Sequence, residues 1–145
     1  MKYDDASWHY GGDFPADLEP SAGATHIGMF LAWCLLHGME GSIHVEDFPV
    51  ELAEIQRREI TPGAFLIKVC DEKFTDEDLS EEGNAFAKFY YSGTDGPYGQ
   101  YLTDYEETFL GSRASLYEVE DTWKTFDRIA PLIDRRYRDW MTSRH

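Results

Sequence analysis

Apolar residues recur at helical spacing along most of this chain, and one stretch is apolar on nearly every face. In THIGMFLAWCLLHG, Thr25 to Gly38, the residues Ile27, Phe30, Leu31, Cys34 and Leu35 fall at i, i+3, i+4, i+7 and i+8 and define one helical face. Met29, Ala32, Trp33 and Leu36 fill most of the remainder. A helix apolar nearly all round is covered by neighbours on several sides, so this stretch reads as the central helix of the domain. Gly28 leaves room there for another backbone to come close. Gly38 takes the left-handed conformation that ends helices at little steric cost.

The flanking pattern predicts shorter amphipathic helices. Residues 1–20 read as an irregular arm punctuated by Gly11-Gly12, Pro15 and Pro20. Its aromatics Tyr3, Trp8, Tyr10 and Phe14 predict that it lies ordered against the core. Ser21 or Thr25 is placed to cap the central helix. After Gly38, Ile43 and Val45 alternate, which predicts a short extended piece. Asp47-Phe48-Pro49 and Thr61-Pro62 each read as an N-cap followed by proline in the first turn. They open helices with Leu52 and Ile55, then Phe65, Leu66, Val69 and Cys70, on their inner faces, split near Glu59–Ile60. Thr75-Asp76-Glu77-Asp78 has the spacing of a capping box ahead of a helix reaching about Tyr91. Ser92 to Pro97 is a turn-rich loop. Tyr98, Tyr101, Leu102, Tyr105 and Phe109 mark a further helix. Ser115 to Val119 reads as briefly extended, and a long last helix, 121–143, carries Pro131, expected to kink or break it. About six helices against at most two short extended pieces predict a single all-α domain over residues 1–145, with a minor two-stranded element as the open question.

Charge changes the picture more than composition does. The chain has 145 residues and a formal charge of −15, and the charge is uneven: residues 113–145 sum to +1 and the first 112 residues to −16. Such a field disfavours nucleic acid and anionic membranes and attracts basic partners. The plain alternative is that it serves solubility. The apolar run is too short to span a bilayer, and MKYDDASWHY lacks the apolar region of a secretory signal. A soluble, cytoplasmic protein is therefore expected. Cys34 and Cys70 read as reduced, buried thiols, with no CxxC or Cys/His spacing that suggests structural zinc.

Nucleotide-binding and hydrolase signatures are missing from the sequence: GxGxxG, the P-loop, HExxH and GxSxG do not occur. The acidic run Asp71 to Glu82 lacks the turn glycine of a calcium loop and carries Lys73 at a ligand position. Two histidines and carboxylates gather around the arm. If it folds back over the helix start, His9 and His26 meet Asp4 or Asp5, a set suited to a metal. The competing reading is that these side chains satisfy the arm's own backbone. Cys34 and His37, three apart, have the spacing of a nucleophile and its base, but the apolar surroundings of Cys34 predict an inert thiol. Around the loop 92–97, Tyr91 and Tyr98 are expected to be exposed among acids, whereas Tyr101 and Tyr105 fit half-buried core positions.

The segments KYDDASWHYGGDFPADL, GATHIGMFLAW, CDEKFTDEDLSEEGNAFAKFYY and SLYEVEDTWKTFDRIAPLIDRRY resemble an uncharacterised family of short, standalone acidic bacterial proteins. Its members are similar in kind to immunity proteins, which neutralise secreted toxins. The resemblance implies no reaction and no catalytic residues.

Taken together, the sequence predicts a non-enzymatic module that binds a basic protein, in its narrower form an immunity protein for a cytosol-acting toxin, with no cofactor. Glu72, Asp76, Glu77, Asp78, Glu81, Glu82, Tyr91 and Tyr98 are the expected contact set. The alternatives are a metal-dependent enzyme or metal-binding protein using His9, His26, Asp4 and Asp5, and a scaffold or regulator of unknown partner.

Overall fold

The computed structural model describes residues 2–9, 20–92, 99–109 and 119–143, with residues 8, 9, 20 and 21 described in backbone only. Of the predicted extended piece 115–119, residues 115–118 lie outside the described residues, as does the loop tip 93–98, and Val119 is buried at a bend. Among those described, seven α-helices and one two-stranded sheet make up the fold: β1 (Lys2–Asp5), α1 (Thr25–Leu36), α2 (Ser42–Glu46), α3 (Pro49–Gln56), α4 (Pro62–Cys70), β2 (Lys73–Thr75), α5 (Glu81–Tyr90), α6 (Gln100–Phe109) and α7 (Trp123–Ser143). Single 3-10 turns occupy Ala6–His9, Pro20–Ala24 and Asp76–Asp78. The mostly-α domain predicted from periodicity is what the chain forms.

α1 is the middle of the molecule, and every residue from Thr25 to Leu35 is buried. Its Phe30 ring lies among Phe74, Phe86, Tyr90, Tyr91 and Tyr101, with ring centroids 5.0 to 6.0 Å away. These aromatics arrive from β2, α5 and α6, so one side chain gathers three elements. On another face α4 comes so close that a Cβ at Gly28 would stand 2.4 Å from the Pro62 carbonyl oxygen. The indole N–H of Trp33 donates to Asp134 on α7 at 2.8 Å. Among the described residues no side chain caps α1; Ala24 of the preceding 3-10 turn holds the N-cap position in place of Ser21 or Thr25.

Three expectations are corrected. Ile43 and Val45 do not lie in an extended piece; SIHVE forms the one-turn helix α2, which buries only His44. The sheet involves the arm instead: β1 pairs antiparallel with β2, Lys2 opposite Thr75 and Asp5 opposite Lys73. Pro131 does not break the last helix, since it lies inside the uninterrupted 21-residue α7. It is exposed and has the first two turns of the helix ahead of it, so the lost hydrogen bond falls on the solvated side.

Some helix starts match the expected caps and others do not: α3 has Pro49 in its first turn, but its N-cap is Phe48, with no side-chain cap among the described residues, and not the expected Asp47. Thr61 caps α4 as read from the sequence, its hydroxyl oxygen accepting from the Ala64 N–H at 3.4 Å. Asp121, just ahead of α7, reinforces that end: its carboxylate accepts from the Gly63 N–H at 2.7 Å, the Ala64 N–H at 3.2 Å and the Thr61 hydroxyl at 2.6 Å. The first turn of α4 is thus bound to the start of the last helix. Asp121→Ala should cost about 1–2 kcal/mol, read as a lower urea midpoint at unchanged slope; an unmoved midpoint would show that the cap adds nothing. The Thr75 capping box is present as well, with Asp78 as its partner, but it caps the 3-10 turn 76–78. α5 begins afterwards from Ser80, whose hydroxyl accepts from the Gly83 N–H.

Candidate functional site

The capping box decides where the acids of the segment 71–82 point. A 3-10 turn of three consecutive acids cannot turn all three outward while Asp78 reaches back to its own N-cap. Asp78 Oδ2 accepts from the Thr75 N–H at 2.8 Å, and its other oxygen turns into the protein. There the His44 Nε2–H donates to Asp78 Oδ1 at 2.9 Å and the Cys70 thiol to the same oxygen at 3.6 Å. Asp78 is 7% exposed and His44 1%. Burial and the neighbouring Asp78 charge push the Cys70 thiol far up, so it stays protonated. The Nδ1 of His44 has no hydrogen-bond partner among the described residues. The cluster ties α2, the end of α4 and the 3-10 turn together, and the Gly41 N–H adds a bond to the Asp78 carbonyl at 3.0 Å.

Asp78 therefore cannot meet a partner, contrary to the expected contact set. Glu77, Glu81 and Glu82 are exposed, and Glu72 and Asp76 are half-buried. Glu82 accepts a hydrogen bond from the Tyr137 hydroxyl at 2.7 Å. Tyr91 is also corrected: it is 8% exposed, and its hydroxyl donates to Asp4 at 2.5 Å. The cause is β1, which lays the arm's carboxylate against the end of α5. Tyr98 lies outside the described residues.

The arm does fold back over the start of α1. His26 Nε2 stands 3.8 Å from Asp4 Oδ2, both buried, with the Tyr105 ring 6.0 Å from the imidazole. Asp5 does not join them. Its carboxylate accepts from the Lys2 ammonium at 2.8 Å and from the Ser7 N–H and hydroxyl. Burial alone would raise that carboxyl, but these bonds outweigh it and hold it at about 2. The His9 side chain is not described. Of the four residues expected to share a metal, the structure brings Asp4 and His26 together and commits Asp5 elsewhere.

Cys34 and His37 are not paired either. Cys34 is fully buried among apolar side chains, which pushes its thiol far up. His37 turns outward, stacks on Trp33 at 4.1 Å and donates its Nδ1–H to the Trp33 carbonyl at 2.7 Å.

A surface not singled out from the sequence lies on α2 and α3. Val45 is 51% and Val50 66% exposed. The same stretch carries Glu46 and Asp47, which are exposed, and Glu51 and Glu54, which are half-buried, with no hydrogen bond or ion pair to their side chains among the described residues. Glu77 is next to this surface, since α2 packs on the 3-10 turn and Gly41 faces the Glu77 carbonyl. Some acids elsewhere are matched: Arg58 forks onto Asp127 at 2.8 and 3.0 Å, and Lys73 meets Asp71 at 2.9 Å, whereas Glu81, Glu107 and Glu120 are exposed without such a partner among the described residues. The signal was present in EDFPVELAE, but reading Ile43 and Val45 as alternating hid it.

No curated protein and no solved structure matches the chain. One family does, over residues 2–119, which takes in the arm, α1 to α6 and both groups of acids. The chain is therefore a member of the family described as Domain of unknown function (DUF7832).

Proposed function

We propose that this protein is a non-enzymatic binding module that holds a basic protein on the acidic surface of α2, α3 and the neighbouring turn 76–78. The observation that carries this reading is the combination of Glu46, Asp47, Glu51, Glu54 and Glu77, unmatched by cations among the described residues, with two exposed valines on the same pair of helices. Unmatched carboxylates raise the encounter rate with a cationic partner. The exposed valines supply apolar area that excludes water from the contact. In its narrower form the partner is a bacterial toxin with a basic substrate cleft, and the protein acts as an immunity protein by covering that cleft.

The test is affinity capture from the source organism with two baits run side by side, the wild type and Glu46→Gln/Asp47→Asn/Glu51→Gln/Glu77→Gln. None of the four side chains makes a hydrogen bond or ion pair among the described residues, so each substitution should change stability by about 0.5 kcal/mol or less. The expected result is a basic protein recovered by wild type and lost from the variant. Equal recovery by both baits would move the binding surface elsewhere.

A further inference from the structure

We propose that His44, Cys70 and Asp78 form a binding site for a divalent cation of the zinc class, with His44 Nε2, Cys70 Sγ and one Asp78 oxygen as ligands. The three side chains come from α2, the last residue of α4 and the 3-10 turn. Their ligand atoms all lie within 4.8 Å of one another. A tetrahedral zinc ion with bonds of about 2.0–2.3 Å holds its ligand atoms roughly 3.3–3.8 Å apart. The sulfur-to-oxygen distance of 3.6 Å is already in that range, and the nitrogen-to-oxygen distance of 2.9 Å has only to open by a few tenths.

Charge and ligand type narrow the ion. A thiolate and a carboxylate balance a divalent cation, so the loaded site is neutral, whereas Asp78 alone leaves a negative charge in a mostly buried place. Sulfur with imidazole selects zinc over magnesium or calcium. Binding breaks the Cys70 S–H bond and releases that proton to solvent. The imidazole stays neutral by shifting its proton from Nε2 to Nδ1. The unengaged His44 Nδ1 leaves the ring free to change tautomer in this way. It also leaves the ring without the second-shell acceptor that dedicated zinc sites provide, so the affinity is lower than in those sites. Cys70 is only partly covered, and its side offers the fourth position to water. The ion would pin α2, α4 and the turn 76–78 to one another. This site shares α2 and the turn 76–78 with the binding surface proposed above but uses different, inward-facing side chains, and its test does not depend on that surface.

The test is titration of chelator-treated full-length protein with Co2+, followed by displacement with Zn2+. The expected result is a thiolate-to-cobalt charge-transfer band that saturates at one equivalent and is removed by Zn2+. The band should be lost in Cys70→Ser and in His44→Gln and kept in Cys34→Ser. Zn2+ at a hundredfold excess over Kd should raise the wild-type Tm by about 5–10 °C and leave that of Cys70→Ser unmoved. No thiolate band in wild type, or the same band in Cys70→Ser, would overturn the site. The wild-type titration alone decides the matter if a variant fails to fold.

Discussion

Arg136→Met is expected to lower the stability of the protein by about 3 kcal/mol at neutral pH, near the lower end of the cost of unpairing a buried carboxylate. Asp104 on α6 is fully buried. Its two oxygens accept from Arg136 Nε and Nη2 of α7, each at 2.9 Å, from the Tyr90 hydroxyl at 2.6 Å and from Gln100 at 3.0 Å. Burial alone would raise the Asp104 carboxyl, but the bonds from Arg136, Tyr90 and Gln100 outweigh it and hold it below the usual carboxylate range. Removing the guanidinium leaves the charge in place with two neutral donors. The lower end of the range applies because the Arg136 side chain is itself one third exposed.

The same group fixes the direction of the pH effect. A carboxylate whose folded pKa is depressed contributes stability that is present above its unfolded value of about 3.9 and fades as the pH falls through its lower folded value. In Arg136→Met burial prevails and the folded pKa rises, so acid relieves the variant by protonating Asp104. Urea denaturation at pH 7 and near pH 4 should show the gap between wild type and variant narrowing on acidification. A gap under 1 kcal/mol at pH 7, or one that widens in acid, would mean that the pair does not hold α6 to α7.

Gly28→Ala should be as damaging, although alanine is normally the better helix residue by about 1 kcal/mol. The added methyl would stand 2.4 Å from the Pro62 carbonyl oxygen, 2.6 Å from its carbon and 2.8 Å from the Gly63 nitrogen. All three are backbone atoms, in a first turn also held by Thr61 and Asp121, so no side chain can swing aside. Separating α1 from α4 opens the most buried part of the core. A loss of about 3 kcal/mol is expected, at the upper end of overpacking costs. Gly38→Ala is the control: its φ is +74°, but nothing lies within 4 Å of the added Cβ, so only backbone strain of about 1 kcal/mol applies. If Gly28→Ala melts at or above wild type, the close approach of the two helices is wrong.

What could be read beforehand follows from how local the physics is. α1 announced itself because its burial is written in eleven successive residues, and the Thr61-Pro62 start of α4 because cap and proline act within one turn. β1 was not legible. Two of its four residues are aspartates; Lys2 and Ser7 nearby satisfy Asp5, but the donor to Asp4 is Tyr91, 87 positions away, which no local pattern displays. α2 was misread since five residues are too few for a helical period to emerge from alternation. Among the site residues, the exposure of Glu77, Glu81 and Glu82 followed from polarity alone. The inward turn of Asp78 did not, as it depends on a histidine 34 positions earlier. Tyr91 sits at the end of a helix beside a polar loop, the usual place for an exposed aromatic, and it is bound by Asp4 of a strand 87 positions earlier in the chain.

The central claim concerns the carboxylates left unmatched on α2, α3 and the adjoining turn, and association kinetics examine it most directly. With the basic protein recovered by capture, its association rate should be measured across a salt series for wild type and for Glu46→Gln/Asp47→Asn/Glu51→Gln/Glu77→Gln. Electrostatic steering predicts a rate about tenfold or more slower for the variant at low ionic strength, and the two rates converging as salt screens the field. Equal rates at low salt would contradict the account.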